Sequence, residues 1–275
     1  MIKNISPVVY WELGDYVRNG GSPTSVQDAS YLLFTNAPQR AAIPVNSAAS
    51  NVQAGWTSGA ASDSGSYNFV PASANCFYLP NTAVGFSDYS DIFTTNSFLI
   101  WARVRVNSVA GTSEFDSNLF SIRGKTGSQD QLLALDYANK NTSEQRIKLN
   151  INNGNSIQSI PCVIGDIDST TEFFDVAFFV DLRSSQGTAY SFFNGTLKNS
   201  PTISRGQLVI GTANANHAIC IGCDKPGAGV SSLLDGELLR VGIMNFNNKP
   251  PDDISGLVKA LHLGESVPSD FMGGI

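Results

Sequence analysis

Three long segments of this chain alternate between apolar and polar residues with a period of two. They span residues 98–106, 146–152 and 173–182. Successive side chains of an extended strand point to opposite faces, so the alternation collects the apolar residues on one face. The residues predicted to point inward are Phe98, Ile100, Ala102, Val104 and Val106 in the first segment, Ile147, Leu149 and Ile151 in the second, and Phe174, Val176, Phe178, Val180 and Leu182 in the third. Ala177 and Phe179 lie on the opposite face of the third segment, which we expect to be covered in part. The pattern predicts an all-β fold in which two antiparallel sheets pack face to face.

Two short sequences predict turns between strands. Asn194 and Gly195 separate two apolar strands, and both residue types tolerate the positive φ angles of a type I′ hairpin. Asp235 and Gly236 predict a second tight turn, which leads into a strand within residues 233–247.

One helix is predicted over residues 252–262. Two Asp residues stand at its positive N-terminal end, and a Gly follows at position 264 as a stop signal. The apolar residues at helical spacing are Ile254, Leu257, Val258 and Leu261. We expect the helix to lay this stripe on the sandwich.

The length and the order of the elements favour a single domain over residues 1–275. Residues 14–66 contain Gly-, Ser- and Ala-rich stretches. We interpret them as an elaborated loop region of that domain, because strands of one sheet system are predicted both before and after them.

Charge and hydropathy exclude two classes of partner. The formal net charge of -6 offers no basic surface for a phosphate backbone, so we expect no binding to nucleic acid. The longest apolar runs fall far short of the roughly 20 residues of a membrane-spanning helix, so we expect no membrane insertion. The N-terminus lacks the apolar core of a signal peptide, which predicts synthesis in a cytoplasm.

The four cysteines are Cys76, Cys162, Cys220 and Cys223. In a reducing compartment we expect them to be free buried thiols rather than disulfides. Cys220 and Cys223 lie in an apparent strand, where an offset of three predicts side chains on opposite faces. We therefore predict neither a metal site nor a redox site for this pair.

Taken together, the order of the elements resembles the laminin-G-like and pentraxin-like jelly rolls of the concanavalin A-like lectin and glucanase superfamily. The matching segments, in chain order, are residues 9–13, 26–30, 66–69, 76–80, 98–106, 175–178, 193–196, 219–222 and 234–238. The resemblance covers nearly the whole chain, and it implies a two-sheet antiparallel jelly-roll sandwich with one short C-terminal helix. It also implies that 66–69 and 76–80 are paired strands, and that the fold binds a ligand.

The chain departs from this family at the positions that carry calcium and catalysis. Many members hold a structural calcium with an acidic side chain shortly after the final Asp-Gly, where this chain has Leu238 and Leu239. We expect no cofactor, although a structural calcium stays an open alternative. Related glycoside hydrolases use two facing carboxylates in a Glu-x-Asp-x-x-Glu strand. Glu114 and Asp116 begin that pattern, but Leu119 replaces its last residue, so we predict no catalytic residues and no enzyme.

Sugars are bound by an aromatic platform together with amide and carboxylate groups, because their C–H faces stack while their hydroxyls need directional hydrogen bonds. The candidate ligand-binding residues are Trp56, Asn214, Asn216, His217 and Asp224. An alternative is that Trp56 covers an underpacked loop or anchors a subunit contact.

Three hypotheses about function follow. The first is a non-catalytic structural or attachment protein of a virion, either a bacteriophage head decoration or a tail-associated component. Its partners would be other virion proteins or copies of itself, with host-surface glycan as a further ligand. The alternatives are a stand-alone glycan-binding module and a glycoside hydrolase that acts on surface polysaccharide.

Overall fold

The computed structural model of the chain describes residues 6–12, 43–44, 56–57, 66–70, 76–80, 97–107, 115–124, 131–139, 145–152, 157–164, 172–184, 186–204, 217–224, 232–246 and 250–263. These residues form strands β1 (Ser6–Glu12), β2 (Ile43–Pro44), β3 (Trp56–Thr57), β4 (Ser66–Phe69), β5 (Phe77–Pro80), β6 (Ser97–Val106), β7 (Phe115–Gly124), β8 (Gln131–Asn139), β9 (Gln145–Asn152), β10 (Ile157–Ile164), β11 (Phe174–Asp181), β12 (Gln186–Phe193), β13 (Thr196–Asn199), β14 (Thr202–Ser204), β15 (His217–Ile221) and β16 (Gly236–Asn245), and helix α1 (Ile254–Leu263).

The strands form two sheets in which every described pair is antiparallel. The nine-stranded sheet has the order β13-β12-β11-β6-β16-β4-β3, with β1 also paired to β16 and β14 also paired to β12. The seven-stranded sheet has the order β10-β9-β8-β7-β15-β5-β2. The predicted two-sheet sandwich is therefore confirmed.

The main core lies between the inner faces of the two sheets. All thirteen residues that the alternation predicted to point inward are buried in this core. The seven-stranded sheet adds large side chains from its own inner face, among them Phe77, Phe120 and Tyr137. Full burial of one such side chain contributes about 1.5–3 kcal/mol, so this layer supplies most of the favourable free energy of folding.

A second core lies on the outer face of the nine-stranded sheet, beneath α1. The sheet contributes Leu99, Trp101, Ala177, Phe179, Phe192, Met244 and Phe246, and the helix contributes Ile254, Leu257 and Val258. The predicted covering of Ala177 and Phe179 is thus confirmed. The helix begins where Asp253 accepts a hydrogen bond from the Gly256 amide (2.8 Å), as an N-cap residue does.

The two predicted turns differ in why they need glycine. Asn194 and Gly195 have φ angles of 46° and 74°, so the positive-φ hairpin is confirmed. Gly236 begins β16 as predicted, but unlike Gly195 it does not have a positive φ angle. A Cβ there would lie 2.5 Å from the Arg105 carbonyl oxygen, so close approach of the neighbouring strand excludes a side chain.

The implied pairing of residues 66–69 with 76–80 is wrong. β4 pairs with β16 and β3 in the nine-stranded sheet, whereas β5 pairs with β15 and β2 in the seven-stranded sheet. The chain between the two strands therefore crosses from one sheet to the other. β2 and β3, within the predicted loop region 14–66, likewise join different sheets.

Candidate functional site

The predicted ligand-binding residues fall on both sheets. Trp56 begins β3 and pairs with Tyr67 in the nine-stranded sheet, whereas His217 begins β15 and pairs with Gly124 in the seven-stranded sheet. Asn214 and Asn216 lie outside the described residues. The role of the five candidate residues in ligand binding stays a prediction.

Asp224 is buried just beyond the end of β15. Its backbone carbonyl accepts a hydrogen bond from the Ser121 hydroxyl (2.6 Å), and the same hydroxyl contacts the Cys223 carbonyl (3.1 Å). The contacts described here fix the backbone of the 222–224 turn against β7.

The prediction that Cys220 and Cys223 lie on opposite faces of one strand is wrong. The strand ends at Ile221, and Gly222 adopts a φ of 77°, so the chain turns before Cys223. The Cys223 thiol therefore meets the thiols of Cys220 and Cys76, and these contacts together with burial raise its pKa well above the usual value. Burial also raises the pKa of the Cys162 thiol, to about 11. All four cysteines are free and buried, and such thiols are poor nucleophiles.

A row of polar side chains crosses the outer face of the seven-stranded sheet. Asn118 on β7 and Asn150 on β9 each donate a side-chain amide hydrogen bond to Asp136 on β8, one to each carboxylate oxygen. Ser159 on β10 donates its hydroxyl to the Asn150 side-chain oxygen. We call these four residues the polar row. The row runs across four adjacent strands and steps by two residues between β8 and β9, where Lys148 rather than Asn150 lies opposite Asp136.

The polar row is deep at its centre and open at one end. Asn118, Asp136 and Asn150 are only 4–7% exposed, whereas Ser159 is exposed. Ile157, two residues before Ser159 and on the same face of β10, is 46% exposed. A ligand would therefore approach from the β10 side, where an apolar side chain lies next to the hydroxyl.

A second polar cluster lies on the outer face of the nine-stranded sheet, where α1 ends. Asp175 on β11 accepts hydrogen bonds from Arg103 Nη1 (2.9 Å) and His262 Nδ1 (2.7 Å) through Oδ2. Its Oδ1 faces Arg240 Nη2 (3.3 Å), which also donates to the Leu261 carbonyl oxygen at the helix end (2.8 Å). This network ties the C-terminal turn of α1 to three strands.

Next to it, Glu237 is buried and paired. Arg105 donates to its Oε1 and the Ser66 hydroxyl to its Oε2, so both carboxylate oxygens are occupied. The Arg105 guanidinium also lies 5.2 Å from the centroid of the Phe173 ring, which is a cation–π contact. Asp175 and Glu237 thus hold the arginines of this face in fixed positions.

The space beneath the helix end does not accommodate a ligand. A cavity of about 10 Å³ lies among side chains that include Trp101, Asp175, Phe192, Leu261 and His262. That volume is about the minimum for one water molecule. The His262–Asp175 pair, which superficially resembles part of a catalytic triad, therefore serves to dock the helix.

The remaining candidates for chemistry are the carboxylates of the glycosidase-like pattern and groups of metal ligands. Asp116 lies on β7 and pairs through its backbone with Ala138, while Glu114 lies outside the described residues. Within the part of the chain that the structure describes, no three His, Cys, Asp or Glu residues are arranged to hold a metal ion. In the same part, α1 is too short to cross a bilayer.

No protein-family model and no curated protein matches this chain. Solved structures do match. A Trypanosoma rangeli sialidase superimposes over 97% of this chain and 33% of its own, with a TM-score of 0.50 and 13% identity. A native heptameric SAP-like pentraxin from Limulus polyphemus aligns over 54% of this chain and 63% of its own (TM-score 0.37, 18% identity). The CBM40 of Ruminococcus gnavus IT-sialidase, bound to α2,6-sialyllactose, aligns over 60% and 83% (TM-score 0.43, 16% identity).

The sheet order and the likeness to part of the sialidase define the class of fold. The chain is a two-sheet antiparallel jelly-roll sandwich, and the part of it that the structure describes carries one short helix near the C-terminus. The chain spans about one third of the Trypanosoma rangeli protein and less than two thirds of the pentraxin.

Proposed function

We propose that this protein is a non-catalytic glycan-binding module, and that the polar row on the seven-stranded sheet contacts the sugar. The observation that carries the proposal is the Asp136 carboxylate, which amides from two neighbouring strands hold in one orientation. A sandwich of this class supports many functions, so the argument depends on the side chains rather than on the fold.

The polar row matches the hydrogen-bonding needs of a sugar. A sugar hydroxyl both donates and accepts, so it is bound well by a serine hydroxyl next to a side-chain amide. Asn118 and Asn150 each commit one of two amide N–H groups to Asp136, and the Ser159 oxygen keeps its acceptor capacity. Groups already fixed by their neighbours lose little conformational entropy when a ligand binds.

Ile157 provides the apolar part of the same surface. Its side chain is exposed beside Ser159, in register with Asn152 of β9. The C–H face of a sugar ring can cover such a side chain while the ring hydroxyls reach Ser159 and Asn150. We therefore place the first sugar unit at the β10 edge of the sheet.

Binding without hydrolysis is favoured because the row contains one carboxylate. Hydrolysis of a glycosidic bond by the common mechanisms needs a second carboxyl group roughly 5–10 Å away. Among the side chains described in the polar row, Asp136 alone carries a carboxyl group, and both its oxygens already accept amide hydrogen bonds.

The test compares two substitutions of exposed residues on different sheets. Ser159→Trp blocks the open end of the polar row, whereas Thr202→Trp adds the same bulk to β14 of the other sheet. On a glycan array and then by calorimetry, the wild type and Thr202→Trp should bind the same glycan, and Ser159→Trp at least tenfold more weakly. Absence of saturable binding on the array, or equal binding by Ser159→Trp, refutes the proposal. Chromatography of the bound glycan after incubation tests catalysis, since shortened products would contradict a non-catalytic role.

The virion hypothesis stays a prediction, as does synthesis in a host cytoplasm. No described contact bears on head or tail location or on virion partners. The glycan-binding proposal applies equally to a free module and to one carried on a particle.

A further inference from the structure

The outer face of the nine-stranded sheet carries a group of arginines beyond the end of α1. Arg103 and Arg105 alternate on β6, and Arg240 of β16 lies directly opposite Arg103. Arg103 remains 31% exposed and Arg240 14% exposed. This surface is on the opposite sheet from the polar row.

Among the described residues, Arg103 and Arg240 share a single carboxylate, that of Asp175. Two guanidinium groups against one carboxylate give this pair of arginines a positive excess within the described contacts, although the whole chain has a net charge of -6. An anionic group would therefore be attracted to this surface rather than to the rest of the molecule.

The Arg240 guanidinium has a buried donor without an acceptor among the described residues. Arg240 uses Nη2 twice, towards Asp175 and the Leu261 carbonyl, while its Nε–H is buried without a hydrogen-bond partner among the described residues. Arg103 uses one of its five N–H groups within the same set of residues. Buried N–H donors in folded proteins are nearly always satisfied, so this Nε requires an acceptor from outside the described contacts.

We propose that an oxyanion of a ligand, meaning a carboxylate, sulfate or phosphate group, binds against Arg103 and accepts a hydrogen bond from Arg240 Nε. Asp175 orients both guanidinium groups, because one carboxylate oxygen faces each of them. Planar guanidinium groups held in this way present paired N–H donors that match two oxygens of an oxyanion. The site would bind an acidic substituent of a glycan or a separate acidic ligand.

The experiment observes the Nε–H group directly. Protein labelled with ¹⁵N-arginine is titrated with sulfate against chloride at constant ionic strength, and the Nε–Hε resonances are followed by NMR. We expect a saturable shift of the Arg240 resonance that weakens at least tenfold in Arg103→Gln. Arg183→Gln is the matched control, since Arg183 lies just after β11 of the same sheet and is exposed and paired with Asp181. Arg103→Lys preserves the charge but not the fork of donors, and it keeps the test valid if the Gln variant does not fold.

Further titrations identify the source of the oxyanion. Glucuronate, glucose 6-sulfate and glucose 6-phosphate are compared with uncharged glucose, which should produce no shift. The proposal is overturned if the Arg240 resonance does not respond to any oxyanion, if its response does not saturate, or if Arg103→Gln responds like the wild type. A response to glucose equal to that of its charged derivatives overturns it as well. None of these results depends on the polar row of the other sheet.

Discussion

Gly242 and Trp101 offer a sharp test of the second core. Gly242 on β16 lies directly opposite Trp101 on β6, and the indole ring covers the position where a side chain would begin. A Cβ at residue 242 would lie 2.5 Å from Cζ2 and 2.9 Å from Cζ3 of Trp101, and nearer still to Cη2. Substitution by Ala therefore forces the ring towards α1.

Two opposing effects determine how much Gly242→Ala changes the free energy of unfolding: the overpacking of the native state and the restriction of the unfolded chain. Overpacking a buried site costs about 1–3 kcal/mol. The cavity of about 10 Å³ beside Trp101 takes up part of the ring's movement, so we expect a value of about 2 kcal/mol. Ala also restricts the unfolded chain relative to Gly, which stabilises the protein by about 0.4–1 kcal/mol. Gly242→Ala should thus lower the free energy of unfolding by about 1–1.5 kcal/mol.

A double-mutant cycle with Trp101→Leu isolates the ring contact. Leu removes the indole atoms that meet the new methyl group, so Gly242→Ala should be neutral or slightly stabilising in that background. The unfolded-state term cancels in the cycle, which leaves a coupling energy of about 2 kcal/mol. Urea unfolding monitored by far-ultraviolet circular dichroism provides the four free energies. An equal cost of Gly242→Ala in both backgrounds would falsify the packing of Trp101 on Gly242.

Three further predictions concern the helix cap, the thiols and a buried phenol. Asp253→Ala removes the acceptor for the Gly256 amide and should lower the free energy of unfolding by about 0.5–2 kcal/mol, whereas Asp253→Asn should cost less; urea unfolding measures both. Burial raises the pKa of Cys162 to about 11, and thiol contacts raise the pKa of Cys223. Neither thiol should therefore react with a thiol-specific disulfide reagent at about pH 8 until urea unfolds the protein. Rapid reaction in the native state would contradict their burial. Burial also raises the pKa of Tyr137 from 10.0 to about 12, so the native state keeps this proton at a pH where the unfolded chain has lost it. The free energy of unfolding should therefore fall as the pH rises above about 10. Tyr137→Phe should reduce that fall, which unfolding experiments across about pH 9–12 measure.

The inner faces of the long strands could be predicted, because burial on one side produces a local alternation of apolar and polar residues in the sequence. Residues 98–106 and 173–182 alternate throughout, and each predicted inward residue lies in the main core. The Asn194–Gly195 hairpin was predictable for a similar reason, since its φ angles depend on those two residues. These features need no knowledge of distant partners.

Features that depend on distant partners were not predictable. β4 and β5 are each four residues long, and nothing within them specifies that they belong to different sheets. Cys223 was misplaced because the strand was extended through Gly222, whose positive φ is stabilised by hydrogen bonds to Leu119 (3.0 Å) and Leu234 (2.9 Å). Those contacts join segments that are far apart in the sequence.

The polar row was missed for the same reason. Its four residues come from four strands, and only the register brings Ser159 opposite Asn150, next to Asp136. The alternation of residues 146–152 leaves Asn150 on the face opposite Leu149 and Ile151, and this outward position is the one available signal. Outward polar residues are common on antiparallel sheets, so that signal alone did not distinguish a binding site from a solvated surface.

The outer face of the nine-stranded sheet does contain a pattern that links sequence to the end of the helix. Along β6 the outward residues change from Leu99 and Trp101 to Arg103 and Arg105. The neighbouring strands change at the same row, from Ala177 to Asp175 on β11 and from Gly242 to Arg240 on β16. Apolar outward residues thus mark the part of the sheet that α1 covers, and charged ones mark the part beyond its last turn. Because three strands change together, packing under α1 accounts for the apolar half. Asp175 and Arg240 also hold the last turn of the helix, so helix docking accounts for part of the charged half. That contact leaves the Arg240 Nε without an acceptor among the described residues, and the proposed oxyanion would supply one.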